Sequence, residues 1–152
     1  MNGGDTLEER FETFTVLINR IGRNIRKIKN QEMAEYNLRS SHVSCLYYLY
    51  INDGLTATDL CERCEEDKAT ISRALDFLEK NGYIKCESKG AKRYKSPLTL
   101  TDKGNEIAAE IARKISGVLE GIGDGLTEKE RMSFYQSLAV ISDSLEKYVN
   151  KQ

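Results

Sequence analysis

The sequence is poor in the residues and patterns that open most functional classes. It holds one proline and eleven glycines, which leaves no Pro-rich linker and no collagen-like repeat. It holds a single histidine, His42, so acid–base chemistry has little to work with. No P-loop, no G-x-G-x-x-G after a strand, no H-E-x-x-H and no G-x-S-x-G is present, and an enzyme is not expected. No apolar run approaches the ~20 residues of a membrane helix. The opening Met1-Asn2-Gly3-Gly4-Asp5 lacks the basic-then-apolar layout of a signal peptide. A soluble, cytoplasmic chain without a membrane partner or resident cofactor is expected.

What is present is ordinary in bulk and uneven in detail. A chain of 152 residues, 39% hydrophobic and 31% charged, has the length and balance of one globular domain. The net charge of −1 conceals segregation. Residues 54–79 carry seven acids against three bases, net −4, whereas residues 80–103 carry seven bases against two acids, net +5. Arg20, Arg23, Arg26, Lys27 and Lys29 form a further basic run with no acid. Such separation makes an anion-attracting face on a nearly neutral protein, or simply a solvated surface.

The first segment reads as a long helix. Leu7, Phe11, Phe14, Ile18, Ile21, Ile25 and Ile28 recur at alternating spacings of 4 and 3, an apolar seam along ~33 Å of helix. That seam needs a partner, either another chain or the later helices. Ser40 or Ser41 is expected to cap a second, largely buried helix through His42–Ile51, stopped by Asn52-Asp53-Gly54. Thr56 with Asp59 caps a short helix containing Leu60, Cys61 and Cys64, and Asp67 caps the next, with Ile71, Leu75 and Leu78 inward. Asn81-Gly82 ends it. Tyr83–Glu87 and Tyr94–Leu100 read as strands around the basic tip Lys89-Gly90-Ala91-Lys92, with Pro97 keeping the ribbon narrow. Thr101 caps a helix with Ile107, Ile111, Ile115, Val118 and Leu119, broken at Gly121–Gly125. Thr127 and Glu130 form the capping box of a last helix bearing Phe134, Leu138, Ile141, Leu145 and Val149.

Two short helices joined by a tight turn and followed by a basic hairpin give a mainly α fold with a small β-hairpin wing, the winged helix-turn-helix plan. The expected organisation is a DNA-binding lobe over 39–101, flanked by helical dimerisation regions over 1–38 and 102–152. With its stripe buried, the 67–80 helix presents Lys68, Ala69, Thr70, Ser72, Arg73 and Asp76, and Arg73 has the reach for a guanine edge or a phosphate. Thr56 and Thr58 complete the candidate DNA-facing set. Net −4 around these helices repels DNA, so the acids must largely face elsewhere and the wing must supply most of the attraction.

Leu55-Thr56-Ala57-Thr58-Asp59-Leu60-Cys61, then Asp67-Lys68-Ala69-Thr70-Ile71-Ser72-Arg73-Ala74-Leu75-Asp76-Phe77-Leu78-Glu79-Lys80-Asn81-Gly82-Tyr83-Ile84, resemble the MarR (multiple antibiotic resistance regulator) family. Leu98-Thr99-Leu100-Thr101-Asp102-Lys103-Gly104 is similar to that family's Leu-Thr-x-x-Gly end of the wing. The resemblance implies a transcriptional regulator, commonly a repressor, that binds double-stranded DNA at a pseudo-palindromic operator as a homodimer. It implies recognition contacts from Lys68, Thr70, Ser72 and Arg73 and wing contacts among Lys89, Lys92, Arg93 and Lys95. The dimer interface would involve Leu7, Phe11, Phe14, Ile18, Leu138, Ile141, Leu145 and Val149. A small-molecule effector would sit between the dimerisation helices and the lobe, with Tyr36, His42, Tyr47 and Tyr50 as candidate lining. Many members carry an Asp-x-Arg pair in the wing; here Tyr94 stands at the arginine position and Arg93 one residue earlier. Arg93, Lys92 and Lys95 therefore remain alternatives for the minor groove.

Cys61 and Cys64 form a C-x-x-C, which has three readings: core packing, a thiol redox pair, or zinc with Cys45, Cys86 or His42. The family pattern holds small or aliphatic core residues at these two positions, which favours packing. A winged-helix protein-interaction module without DNA binding is the competing class.

Overall fold

The computed structural model describes residues 6–87 and 94–151. They fall into two compact units, Met1–Ala112 and Arg113–Gln152. Four of the wing's candidate contact positions are thereby divided: Lys95 is described, whereas Lys89, Lys92 and Arg93 lie outside the described residues.

The first unit opens on a helical rod. α1 (Leu7–Phe11) starts from a capping box in which the Thr6 hydroxyl accepts from the Glu9 amide at 3.2 Å. A π-helical stretch over Glu12–Leu17 follows, then α2 (Ile18–Glu32). The π stretch departs from the uninterrupted 4-3 seam read in the sequence. Side chains interfere with the regular ladder: Thr13 Oγ1 donates to the Glu9 carbonyl at 2.9 Å and Asn19 Nδ2 to the Thr15 carbonyl at 2.6 Å. The Ile18 amide reaches back to the Thr13 carbonyl, the five-residue step of a π-turn. Leu17, within this stretch, is 45% exposed.

α3 (Ser40–Ile51) packs against α2, α4 (Ala57–Cys64), α5 (Lys68–Lys80) and the hairpin. Its start corrects the expected cap. Arg39, not Ser40 or Ser41, is the N-cap, and its side chain is not the acceptor. His42 Nδ1 accepts the Arg39 amide at 2.9 Å, and Asn30 Oδ1 accepts the Ser40 amide at 2.7 Å. Orphan helix-start donors are thus satisfied from one turn ahead and from the preceding helix. Val43, Cys45, Leu46 and Leu49 are buried as expected, but the last turn emerges: Tyr50 and Ile51 are exposed.

The core gathers Met33, Leu38, Leu46, Leu60, Ile71, Leu75, Leu78, Ile84, Leu98 and Ile111, each almost wholly sealed. At about 1.5–3 kcal/mol for each large apolar side chain removed from water, this set fixes how α5 sits on α3 and α4. β1 (Ile84–Cys86) pairs antiparallel with β2 (Leu98–Leu100) in the register Ile84↔Leu100 and Cys86↔Leu98. The Leu98 amide also donates to the Leu55 carbonyl at 2.9 Å. β2 is shorter than the sequence suggested. Pro97 supplies no amide for the ladder, and pairing begins just after it.

α6 (Asp102–Ile122) opens under Thr101, whose hydroxyl accepts from the Gly104 amide at 3.0 Å and donates to the Gly82 carbonyl. The second unit holds the end of α6, a turn containing the buried Gly123, and α7 (Glu128–Asn150). The expected Thr127–Glu130 capping box is formed, with both bonds at 3.1 Å. α7 has no buried residue. Among the described residues, no helix is long and apolar enough to cross a membrane.

Candidate nucleic-acid interface

α4, the turn Glu65–Asp67 and α5 form the helix-turn-helix. Glu65 takes the left-handed conformation (φ 53°) that closes α4, and the Glu66 amide returns to the Cys61 carbonyl. Asp67 then caps α5, its carboxylate accepting the Thr70 amide at 2.7 Å. With Ile71, Ala74, Leu75 and Leu78 buried, the opposite face presents Lys68, Ala69, Arg73 and Asp76 exposed. Thr70 and Ser72 are half-buried at its margins. Arg73 Nη2 lies 3.4 Å from Thr70 Oγ1, a long contact on an exposed helix face.

Two of the acids that make this region negative are engaged in capping. Asp59 accepts from the Thr56 amide at 2.9 Å and the Thr56 hydroxyl at 3.0 Å, and these bonds hold its carboxyl below the usual range. Backbone and side-chain bonds from Thr70 do the same for Asp67. The Thr56 hydroxyl also accepts the Asp59 amide at 3.2 Å. Thr56 is therefore committed to the start of α4. Thr58 is exposed, and its hydroxyl donates to the Tyr94 carbonyl at 3.2 Å.

Tyr94 joins three pieces of this face. Its carbonyl is held by Thr58 on α4, and its ring lies under the Lys68 ammonium, 4.3 Å from the centroid. The base of the wing is thus tied to the first turn of α5. Residue patterns did not expose this contact, because a cation–π pair between positions 26 apart in sequence has no local periodicity. Lys95 beside it is exposed.

The four candidate pocket residues are not gathered. Tyr36 lines a shallow cavity of about 330 Å³ with Tyr83, Lys103, Glu106, Ile107 and Glu110. His42 instead stacks on Phe77 of α5, centroids 4.3 Å apart, and Tyr47 packs edge-on to Tyr48. Burial, and secondarily the Arg39 guanidinium, holds the His42 imidazole below its ordinary pKa. The candidate interface residues do lie at the surface: Leu7, Phe11, Phe14 and Ile18 on the rod, and Leu138, Leu145 and Val149 on α7, are exposed, with Ile141 half-buried. Among the described residues, no three histidine, cysteine or acidic groups are placed to hold a metal ion.

A helix-turn-helix with a two-stranded wing against its second helix defines a winged helix-turn-helix protein. Residues 36–93 match the model of the MarR family. It is similar to the HTH-type transcriptional regulator BilQ of Clostridioides difficile, 24% identical over 134 residues that cover 88% of this chain and 90% of the relative. It also resembles the crystal structure of a MarR-family transcriptional regulator from Silicibacter pomeroyi, at 26% identity and a TM-score of 0.74, covering 90% of each chain. A third likeness, of fold, is to the MepR–DNA complex of S. aureus, with 20% identity and a TM-score of 0.75, covering 87% of this chain and 97% of the other.

Proposed function

We propose that this chain is a homodimeric, sequence-specific DNA-binding regulator that represses transcription from a pseudo-palindromic operator. The observation that carries this reading is α5 itself. Its apolar stripe is sealed into the lobe while Lys68, Ala69 and Arg73 stand outward beside the wing. A helix so presented fits a major groove, with small residues allowing close approach and Arg73 reading a base edge or phosphate. Lys89, Lys92, Arg93 and Lys95 supply the phosphate attraction that a chain of net −1 lacks in bulk. The exposed apolar rows of the rod and α7 support dimerisation, with 1–38 and 102–152 as the dimerising regions and 39–101 as the reading lobe. The two copies of α5 would then meet half-sites about one helical turn apart, near 34 Å. A small-molecule effector acts by changing that spacing, and the family resemblance supports both this and a cytoplasmic location.

The direct test is to sequence genomic fragments retained by the purified protein, then titrate the recovered site in a gel shift. Arg73→Ala is expected to weaken specific binding by ~1–3 kcal/mol. Unchanged affinity removes Arg73 from the reading face. Failure to retain duplex even at low salt favours the protein-interaction module.

A further inference from the structure

The DNA-binding reading leaves His42 without a part, yet its ring joins the start of α3 to the reading helix. His42 is the third residue of α3 and half-buried, and Phe77 of α5 stacks on it with centroids 4.3 Å apart and planes 24° apart. Its Nδ1 accepts the Arg39 amide at 2.9 Å. The next amide, of Ser40, donates to Asn30 Oδ1 at 2.7 Å, and Lys29 Nζ donates to Ser44 Oγ at 3.1 Å. Asn30 and Lys29 both belong to α2. The end of the rod is therefore bonded twice to the start of α3, and that start carries the ring that rests on α5. Phe77 stands about one helical turn after Arg73, on the helix that presents the reading face.

Only the neutral ring can accept at Nδ1, because both nitrogens of an imidazolium are donors. A proton there sets N–H against N–H and leaves the Arg39 amide, a helix-start donor, without its partner. We propose that His42 is a positioning residue for DNA reading: its neutral ring sets α5 against the end of the rod, and a proton on Nδ1 uncouples the two and weakens operator binding. This rests on the regulator reading and adds to it a signal, the proton, with a place to act. The charge that acts on the ring is that of Arg39. On α5 the charged residues flanking Phe77 are Arg73, Asp76 and Lys80, and on α2 Lys29 is engaged with Ser44. Burial first, and the Arg39 guanidinium second, hold the folded pKa below 6.5. The coupled state is therefore full at neutral pH and is lost as pH falls through that lower value.

The test titrates the recovered operator duplex with full-length protein at fixed ionic strength between about pH 8 and pH 5, the window of histidine titration. A random duplex runs alongside, and the His42 C2 proton is followed by NMR in the same buffers. Wild-type operator affinity is expected to fall about two- to tenfold across the imidazole titration, the worth of one hydrogen bond. Random duplex should hold or gain over the same range, because protonating carboxylates favours a polyanion. His42→Gln places an amide oxygen where it can accept the Arg39 amide without titrating, and should bind as wild type at neutral pH and lose the fall. Phe77→Leu should keep the imidazole titration but separate it from affinity, which a role confined to capping α3 would not do. A wild-type profile that coincides with that of His42→Gln, or a fall that survives Phe77→Leu, overturns the proposal. The wild-type profile decides this even where a variant folds poorly. Operator binding with a flat profile refutes the coupling and leaves the regulator reading standing. No operator binding at neutral pH removes that reading, and the coupling with it.

Discussion

Single residues in this molecule carry consequences that composition does not reveal. A Cβ added to Gly104 would stand 1.9 Å from the Tyr83 carbonyl oxygen, a backbone atom that cannot swing aside. Gly104→Ala should therefore destabilise the fold by about 1–3 kcal/mol, a drop of roughly 2–12 °C in melting temperature. Gly117, further along α6, has open space around its Cβ position. There the same change should stabilise by up to about 1 kcal/mol, and calorimetry on the two variants checks the contrast. The glycine was visible in the Leu-Thr-x-x-Gly pattern, but its reason was not, since the clash comes from a carbonyl brought in by the turn before β1. His42 shows a similar limit. As the chain's one histidine it attracted a pocket reading, whereas it accepts the Arg39 amide and stacks on Phe77. Its folded pKa lies below the unfolded 6.5, so between the two the unfolded chain binds more protons. Stability should be full above about pH 6.5 and decline as pH falls through the lower folded value. His42→Gln should flatten that decline. Because only one imidazole titrates, NMR of its C2 proton gives the folded pKa directly, and a value at or above 6.5 refutes the sign.

Elements were legible wherever their signals were local. The boxes at Thr56–Asp59 and Thr127–Glu130, the Asp67 cap and the Asn81-Gly82 stop all lie within four residues of what they bind, and each forms as read. Element ends that depend on distant partners were not legible. α3 begins at Arg39 because Asn30 reaches across from the preceding helix. The wing's attachment to α5 is of this second kind and can be tested as one. Tyr94→Ala removes a cation–π contact with Lys68 worth ~0.5–1 kcal/mol at an exposed site, so operator affinity should fall about two- to fivefold. No charge is lost, and the salt dependence of binding should keep its slope. Lys68→Ala should weaken binding and reduce the slope by about 1. Equal slopes in the two variants would place Lys68 away from phosphate.

At the scale of the whole molecule, the surface and the core give one argument. The sealed side chains of Met33, Leu46, Ile71, Leu75, Leu78 and Ile84 belong to the first unit, which closes its core within one chain. The rod does not: Leu7 is 77% exposed, Phe11 61% and Ile21 52%. An apolar row of that length is rare on a soluble monomer, and a chain with a net charge of −1 has little self-repulsion to keep copies apart. Association through the rod should therefore be separable from folding of the lobe. The wild-type protein is expected to sediment at about twice 17.3 kDa. Phe11→Asp with Phe14→Asp should yield a species near 17.3 kDa that keeps the helical circular dichroism of the lobe. That monomer would still bind a single half-site, but would lose the gain in affinity from occupying two at once. A variant that remains dimeric moves the interface off the rod, and one that loses its helical signal shows that the lobe depends on the partner.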